Sequence, residues 1–379
     1  MRIAVPKEIA QDEARVAIVP ETVKRLLAKK FEVSVETGAG AGSRISDEDF
    51  KGAGAAIEPS ARDLYAASDV VVRVNVPTKD EIVKMKEGSM LISLLYPLVN
   101  TDLVRALADK KMTVLAADMI PRTTLAQMMD VLSSQATIAG YRAVLSAAHA
   151  LPKLFPMLMT AAGTIAPAKV LVLGAGVAGL QAIATARRLG AVVEAFDVRK
   201  VVKEQVESLG ARFIEVASDE DLQTQGGYAK EVSEEYKKKQ SELIGAHAKK
   251  SDCVITTALI PGKRAPILLT ADQVKTMRDG SVVVDLAAEQ GGNCELTKPG
   301  ETICVGGVTI VGERNLPSKM SVHASQMYSR NMEKLILYLG KDGQLTLKPD
   351  DEIVKGALIV KDGDIVHGQV KETAAKGNT

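Results

Sequence analysis

The sequence predicts an α/β protein of two domains, each a mostly parallel sheet flanked by helices. Short apolar runs of strand length alternate with helical patterns through most of the chain, the layering that parallel sheets require. One strand–turn–helix–strand unit, opening at residue 170, carries three spaced glycines in its turn. A length of 379 residues exceeds one domain of ordinary size and favours two.

Taken in order, buried strands are expected over residues 2–5, 32–36, 70–74, 90–95 and 112–116. Helical patterns lie between them, and the one over 20–30 has Pro20 at its first position, where no N–H is needed. The glycine-rich stretch 38–42 has no helix directly after it and no acid-ended strand at the right distance, so it reads as a loop. A long helix over 124–150 follows. The second half opens on strand 170–173, helix 178–189 and strand 192–196, then adds strands over 212–216, 253–257, 281–286 and 308–311. Another long helix, 322–339, precedes a tail of short alternating runs about a turn at Asp362 and Gly363. The expected division is a domain of 1–125 completed by 340–379, a linking helix 126–150, a second α/β domain at 151–321, and a returning helix 322–339.

The strongest local signal is VLVLGAGVAGLQAIATARRLGAVVEAFDVR. Gly174, Gly176 and Gly179 form G-x-G-x-x-G after an apolar strand, and Asp197 ends the next strand about twenty residues on. Gly174 permits the tight turn, Gly176 lets backbone approach a pyrophosphate, and Gly179 lets the helix pack on the sheet. The helix N-terminus offers unpaired N–H groups to phosphates. Asp197 suits the two hydroxyls of an adenosine ribose and repels a 2′-phosphate, so NAD is expected over NADP, with Arg199 close enough to blur the preference. The unit is therefore Rossmann-like.

Composition excludes several classes. A formal net charge of +1 gives no electrostatic reason for nucleic acid binding, and with 3% aromatics and no Trp there is little to stack bases on. Cys253, Cys294 and Cys304 form no C-x-x-C pair, and the four histidines have no metal-ligand spacing, so free thiols and no metal site are expected. The N-terminus MRIAVPKE lacks a signal-peptide layout, and no transmembrane span is expected.

Four polar segments invite chemistry. In PRTTLAQMMDVLSSQ, Arg122 and Thr123 follow a strand end, where ligands gather in α/β sheets. Gln127, Asp130, Ser133 and Ser134 recur at helical spacing, opposite Leu125, Met128, Met129 and Leu132. That polar face either meets a carboxamide such as nicotinamide's or is simply solvated. Residues 219–227 read as a mobile loop followed by Tyr228, either closing over a ligand or a plain surface loop. TTALIPG (256–262) and DLAAEQGGN (285–293) sit at strand ends and either line a nicotinamide pocket or merely connect.

Across nearly the whole chain, AVPKE, RVAIVP, PRTTLAQMMDVLSSQATIAGYRAV, the glycine unit, FDVR, GGYAKE, TTALIPGK and DLAAEQGGNCE resemble the NAD(H)-binding component of the proton-translocating nicotinamide nucleotide transhydrogenases. The resemblance is to the arrangement in which that component is a separate soluble alpha-1 subunit. It implies that Arg122, Thr123, Gln127, Asp130 and Ser133 meet NAD(H), with Gln127 at the partner's nucleotide. It implies that Gly174, Gly176, Val177, Gly179, Asp197, Val198 and Arg199 hold the rest of the dinucleotide. Gly227 and Tyr228 in a mobile loop, and Ala258 and Leu259, complete the implied contacts. Also implied are direct hydride transfer to NADP⁺ on a partner subunit, membrane subunits that move protons, a homodimer, a first domain completed by the C-terminal tail, and a cytoplasmic location on the inner membrane face. The alternative is an alanine dehydrogenase, a related family that holds pyruvate with arginine and lysine and uses a histidine. Arg15 is present, but Asn75 stands where the lysine is expected, with Arg73 a shifted substitute, and Tyr96 stands at the histidine. Glu289 takes the place of the carboxylate before QGG. A keto acid would lack its full cationic clamp and its proton donor.

Overall fold

A computed structural model describes residues 1–216, 233–260 and 263–376. The chain forms two compact units, Met1–Gln135 with Ser318–Thr379, and Ala136–Pro317. The fold is α/β, each unit a mostly parallel sheet flanked by helices.

In the first unit the strand order is Asp364–Ile365, Leu358–Lys361, Thr113–Ala116, Met90–Ser93, Val70–Val72, Arg2–Val5, Glu32–Glu36 and Ala56–Glu58. The six strands from the N-terminal segment run parallel, and the two from the tail are antiparallel additions. Alternate strand residues feed two cores. Ile3, Val5, Val70, Val72 and Ile92 face one side, while Ala4, Val71, Leu91 and Val114 face the other. Burial on both faces is why these strands read as continuous apolar runs. The tail hairpin turns at Asp362 and Gly363, both at positive φ, as a tight two-residue turn demands.

The second unit orders its strands Arg212–Ile214, Val192–Phe196, Lys169–Leu173, Cys253–Thr256, Val282–Asp285, Val308–Val311 and Thr302–Val305. All pairs are parallel except the last. A separate two-stranded hairpin, Leu158–Thr160 with Gly163–Ile165, has every strand residue exposed.

Two expectations about helices need correction. The helix expected over 124–150 begins only at Val131 and runs to Ala150; Gln127–Met129 is a 3₁₀ turn and Asp130 breaks away from it. The physical reason is that Asp130 accepts the Ser133 N–H, an N-cap that starts a helix there. The helix Ser321–Leu339, expected as a separate returning element, lies within the first unit. Its Tyr328, Met332, Leu335, Ile336 and Leu339 belong to the same core as Ile3 and Val5. The division between units falls within the Val131–Ala150 helix, not at its ends.

Candidate nucleotide site

The strand Lys169–Leu173 runs into the turn and the helix Val177–Arg188 follows, with Gly176 as its N-cap residue. Two of the three glycines are required by packing. Gly174 sits at φ +100°, and a Cβ on Gly179 would lie 1.8 Å from the Gly174 carbonyl oxygen. Gly176 is different: a Cβ there would meet nothing nearer than Arg199 Nη2 at 4.0 Å. The chain itself does not need that glycine, but a phosphate approaching the backbone does. The residues present thus fit a dinucleotide.

Asp197 follows the neighbouring strand Val192–Phe196 and is buried. Its Oδ2 accepts the Ala175 N–H at 2.7 Å and Arg199 Nη2 at 2.8 Å. Its Oδ1 accepts the Arg199 N–H and Nε, each at 2.9 Å. Four donors match the capacity of a carboxylate. The hydrogen bonds from Asp197 hold the Arg199 guanidinium above its ordinary range, with burial opposing. Val198 is half-buried against the core beneath.

Beyond the next strand, Cys253–Thr256, Thr257 Oγ1 donates to the Gly174 carbonyl at 3.0 Å. Both peptide groups of Ala258 are engaged by Asn293: its N–H reaches Oδ1 at 3.0 Å and its carbonyl accepts Nδ2 at 2.9 Å. Leu259 is exposed. Thr257, Asn293 and Asp285 carry this arrangement. Sequence reasoning assigned them no individual role, because a side chain that braces distant backbone leaves no spacing pattern. Gly227 and Tyr228, expected in a mobile loop, lie outside the described residues, as do residues 261 and 262 of TTALIPG.

In the first unit, Arg122 and Gln127 are exposed and Thr123 donates to Glu352 at 2.8 Å. Asp130 receives the Ser133 N–H at 2.8 Å and hydroxyl at 2.6 Å. Gln127 and Asp130 therefore stand before the helix, not on its face as the spacing suggested. Asn331 braces the turn by donating to the Met128 carbonyl at 2.8 Å. Of the expected apolar face only Met129 is buried, while Leu125 and Met128 are exposed.

The same unit holds a buried ionic cluster. Glu13 grips Arg15 through its N–H, Nε and Nη2, and Arg15 Nη1 reaches Gln135 Oε1 at 2.9 Å. Burial works against the Arg15 charge, but Glu13 outweighs it and holds the guanidinium above its ordinary range. Asn75 Nδ2 donates to Glu8 and Glu13. Arg73, 1% exposed, pairs with Glu8 and Glu81. Burial pushes the Glu8 carboxyl up despite Arg73. Arg73 is thus committed to the interior and is no substitute for a lysine at position 75.

These features define a dinucleotide-binding α/β protein of two units. Its kin are found by comparison. Residues 4–139 match the family described as alanine dehydrogenase/PNT, N-terminal domain, and residues 143–368 its C-terminal domain. The chain is 49% identical to the first portion of NAD(P) transhydrogenase subunit alpha of Rhodospirillum rubrum, a separate polypeptide there, covering 97% of this chain and 98% of that protein. The solved transhydrogenase of Sinorhizobium meliloti superposes with a TM-score of 0.85 at 42% identity, covering 97% of this chain and 99% of that one. An L-alanine dehydrogenase structure matches with a TM-score of 0.83 at 29% identity, covering 99% of each chain. The chain belongs to the alanine dehydrogenase/PNT family and is similar to the transhydrogenase alpha subunits within it. Among the described residues, no helix is long and apolar enough to cross a membrane.

Proposed function

We propose that this chain is the NAD(H)-binding component of a transhydrogenase and works against an NADP(H)-binding subunit, with membrane subunits that translocate protons. The observation that carries the reading is the open approach at Gly176 beside Asp197, on a chain similar throughout to transhydrogenase alpha subunits. When bound, NADH supplies a hydride from nicotinamide C4 to NADP⁺ on the partner.

The chain's own residues bind and position. The Gly176 turn and the first N–H groups of the Val177–Arg188 helix receive the pyrophosphate, with Val177 and Val198 as neighbours. Asp197 keeps its backbone donors from Ala175 and Arg199 and exchanges the Arg199 side-chain bonds for ribose hydroxyls. Arg122, Thr123, Gln127, Asp130 and Ser133 match the donors and acceptors of the carboxamide. Gly227 and Tyr228, with Ala258 and Leu259, complete the contacts. Catalysis is then orientation with water excluded, and coupling to protons runs through affinity at the partner's site. Exposed Leu125 and Met128 flank Gln127 and suit a docking partner. The exposed apolar hairpin supports a homodimer, and the family suggests a cytoplasmic, membrane-peripheral location through the partner subunits.

The test is reconstitution with an NADP(H)-binding subunit and its membrane partner. NADH should reduce an NADP⁺ analogue only in the mixture. Oxidation of NADH by pyruvate and ammonia with this chain alone would overturn the reading in favour of an amino-acid dehydrogenase.

A further inference from the structure

Lys169–Leu173 pairs on one side with Val192–Phe196, which leads to Asp197, and on the other with Cys253–Thr256. A dinucleotide with its ribose at Asp197 and its pyrophosphate at Gly176 therefore carries its nicotinamide half toward the end of Cys253–Thr256. The residues there, 257–260, form no helix or strand. Their place is set by side chains. Thr257 ties them to the Gly174 turn from one side, and Asn293 holds them from the other.

Asn293 has no solvent exposure, and each of its polar atoms is used. Oδ1 accepts the Ala258 N–H, while Nδ2 donates to the carbonyls of Ala258 and, at 2.8 Å, Pro266. Its main-chain carbonyl accepts the N–H groups of Leu268 and Leu269. Its own N–H goes to Asp285 Oδ2 at 2.8 Å. Asp285 is also fully buried and takes four more bonds, from Thr256, Ala287, Cys294 and Thr297. Only an amide of this length presents an acceptor to the Ala258 N–H and donors to two carbonyls at once. A carboxylate would face those carbonyls with lone pairs.

We propose that Asn293, oriented by Asp285, is a positioning residue for the nicotinamide half of the bound dinucleotide, acting through the Ala258 peptide groups. The proposal rests on the dinucleotide reading above. It separates the two halves of the ligand: the adenosine half depends on Asp197 and the Gly176 turn, and only the other half depends on Asn293.

The experiment compares AMP with NADH on the full chain, by calorimetric titration of wild type, Asn293→Asp and Asp285→Asn. Loss of about two hydrogen bonds to the loop should raise the NADH dissociation constant about tenfold in Asn293→Asp and leave AMP affinity unchanged. Asp285→Asn, which keeps the shape around Asn293, should move NADH in the same direction by less. A parallel loss of AMP and NADH affinity, or no change in either variant, would overturn the proposal. Wild-type chain binding neither ligand would overturn the dinucleotide reading itself and the proposal with it.

Discussion

Asp197 shows how one side chain sets ligand choice. Two of its four donors are backbone groups that shape the glycine turn, and two come from the Arg199 side chain. The backbone pair shapes the turn with or without ligand, so only the guanidinium bonds are exchangeable for ribose hydroxyls. Asp197→Asn keeps an acceptor for Ala175 but removes the charge that opposes a 2′-phosphate. It leaves a guanidinium within reach of that phosphate. The ratio of NADH to NADPH affinity, measured by titration, should fall by roughly tenfold to a hundredfold. An unchanged ratio would show that Asp197 does not meet the ribose. The fingerprint was legible because its causes are local: Gly179 touches Gly174, and Asp197 reaches back one strand to Ala175. Asn293 was not legible, because it acts on backbone 35 residues away.

Elements were read well where burial repeats regularly. The strands Arg2–Val5, Glu32–Glu36, Val192–Phe196 and Val308–Val311 fall where the apolar runs place them. Where a polar side chain sets the boundary, periodicity misleads. The spacing of Gln127, Asp130 and Ser133 fits a helix, yet the helix starts after Asp130, which caps it. Asp130→Ala removes the cap and should lower stability by about 1 kcal/mol in urea unfolding. Asp130→Asn retains an acceptor for the Ser133 N–H and should lose at most a few tenths of a kcal/mol. Equal losses in the two variants would place the charge, not the cap, at the root of the effect. The strands Leu158–Thr160 and Gly163–Ile165 escaped sequence reading for the opposite reason, since no alternation of burial marks them.

At the scale of the whole molecule, two parallel sheets were legible from the alternation of strand and helix. The return of Ser321–Leu339 into the first core was not, because an amphipathic helix does not name the sheet it covers. The exposed hairpin poses the remaining question of assembly. A lone two-stranded hairpin is at best marginal in water, and neither strand here buries a residue within the chain. Met157, Met159 and Ile165 are 56%, 71% and 46% exposed on one short segment. Such a patch is stabilised when another surface covers it, and a second copy of this chain is the partner the proposed subunit calls for. Covering contributes on the order of 1 kcal/mol per apolar side chain. Replacing all three with serine should therefore raise the dimer dissociation constant by roughly a hundredfold or more. Sedimentation should show a wild-type dimer and a triple variant that is monomeric at the same concentration, with an unchanged far-UV circular dichroism spectrum. A variant that stays dimeric would move the interface away from the hairpin, and a monomeric wild type would remove the homodimer altogether.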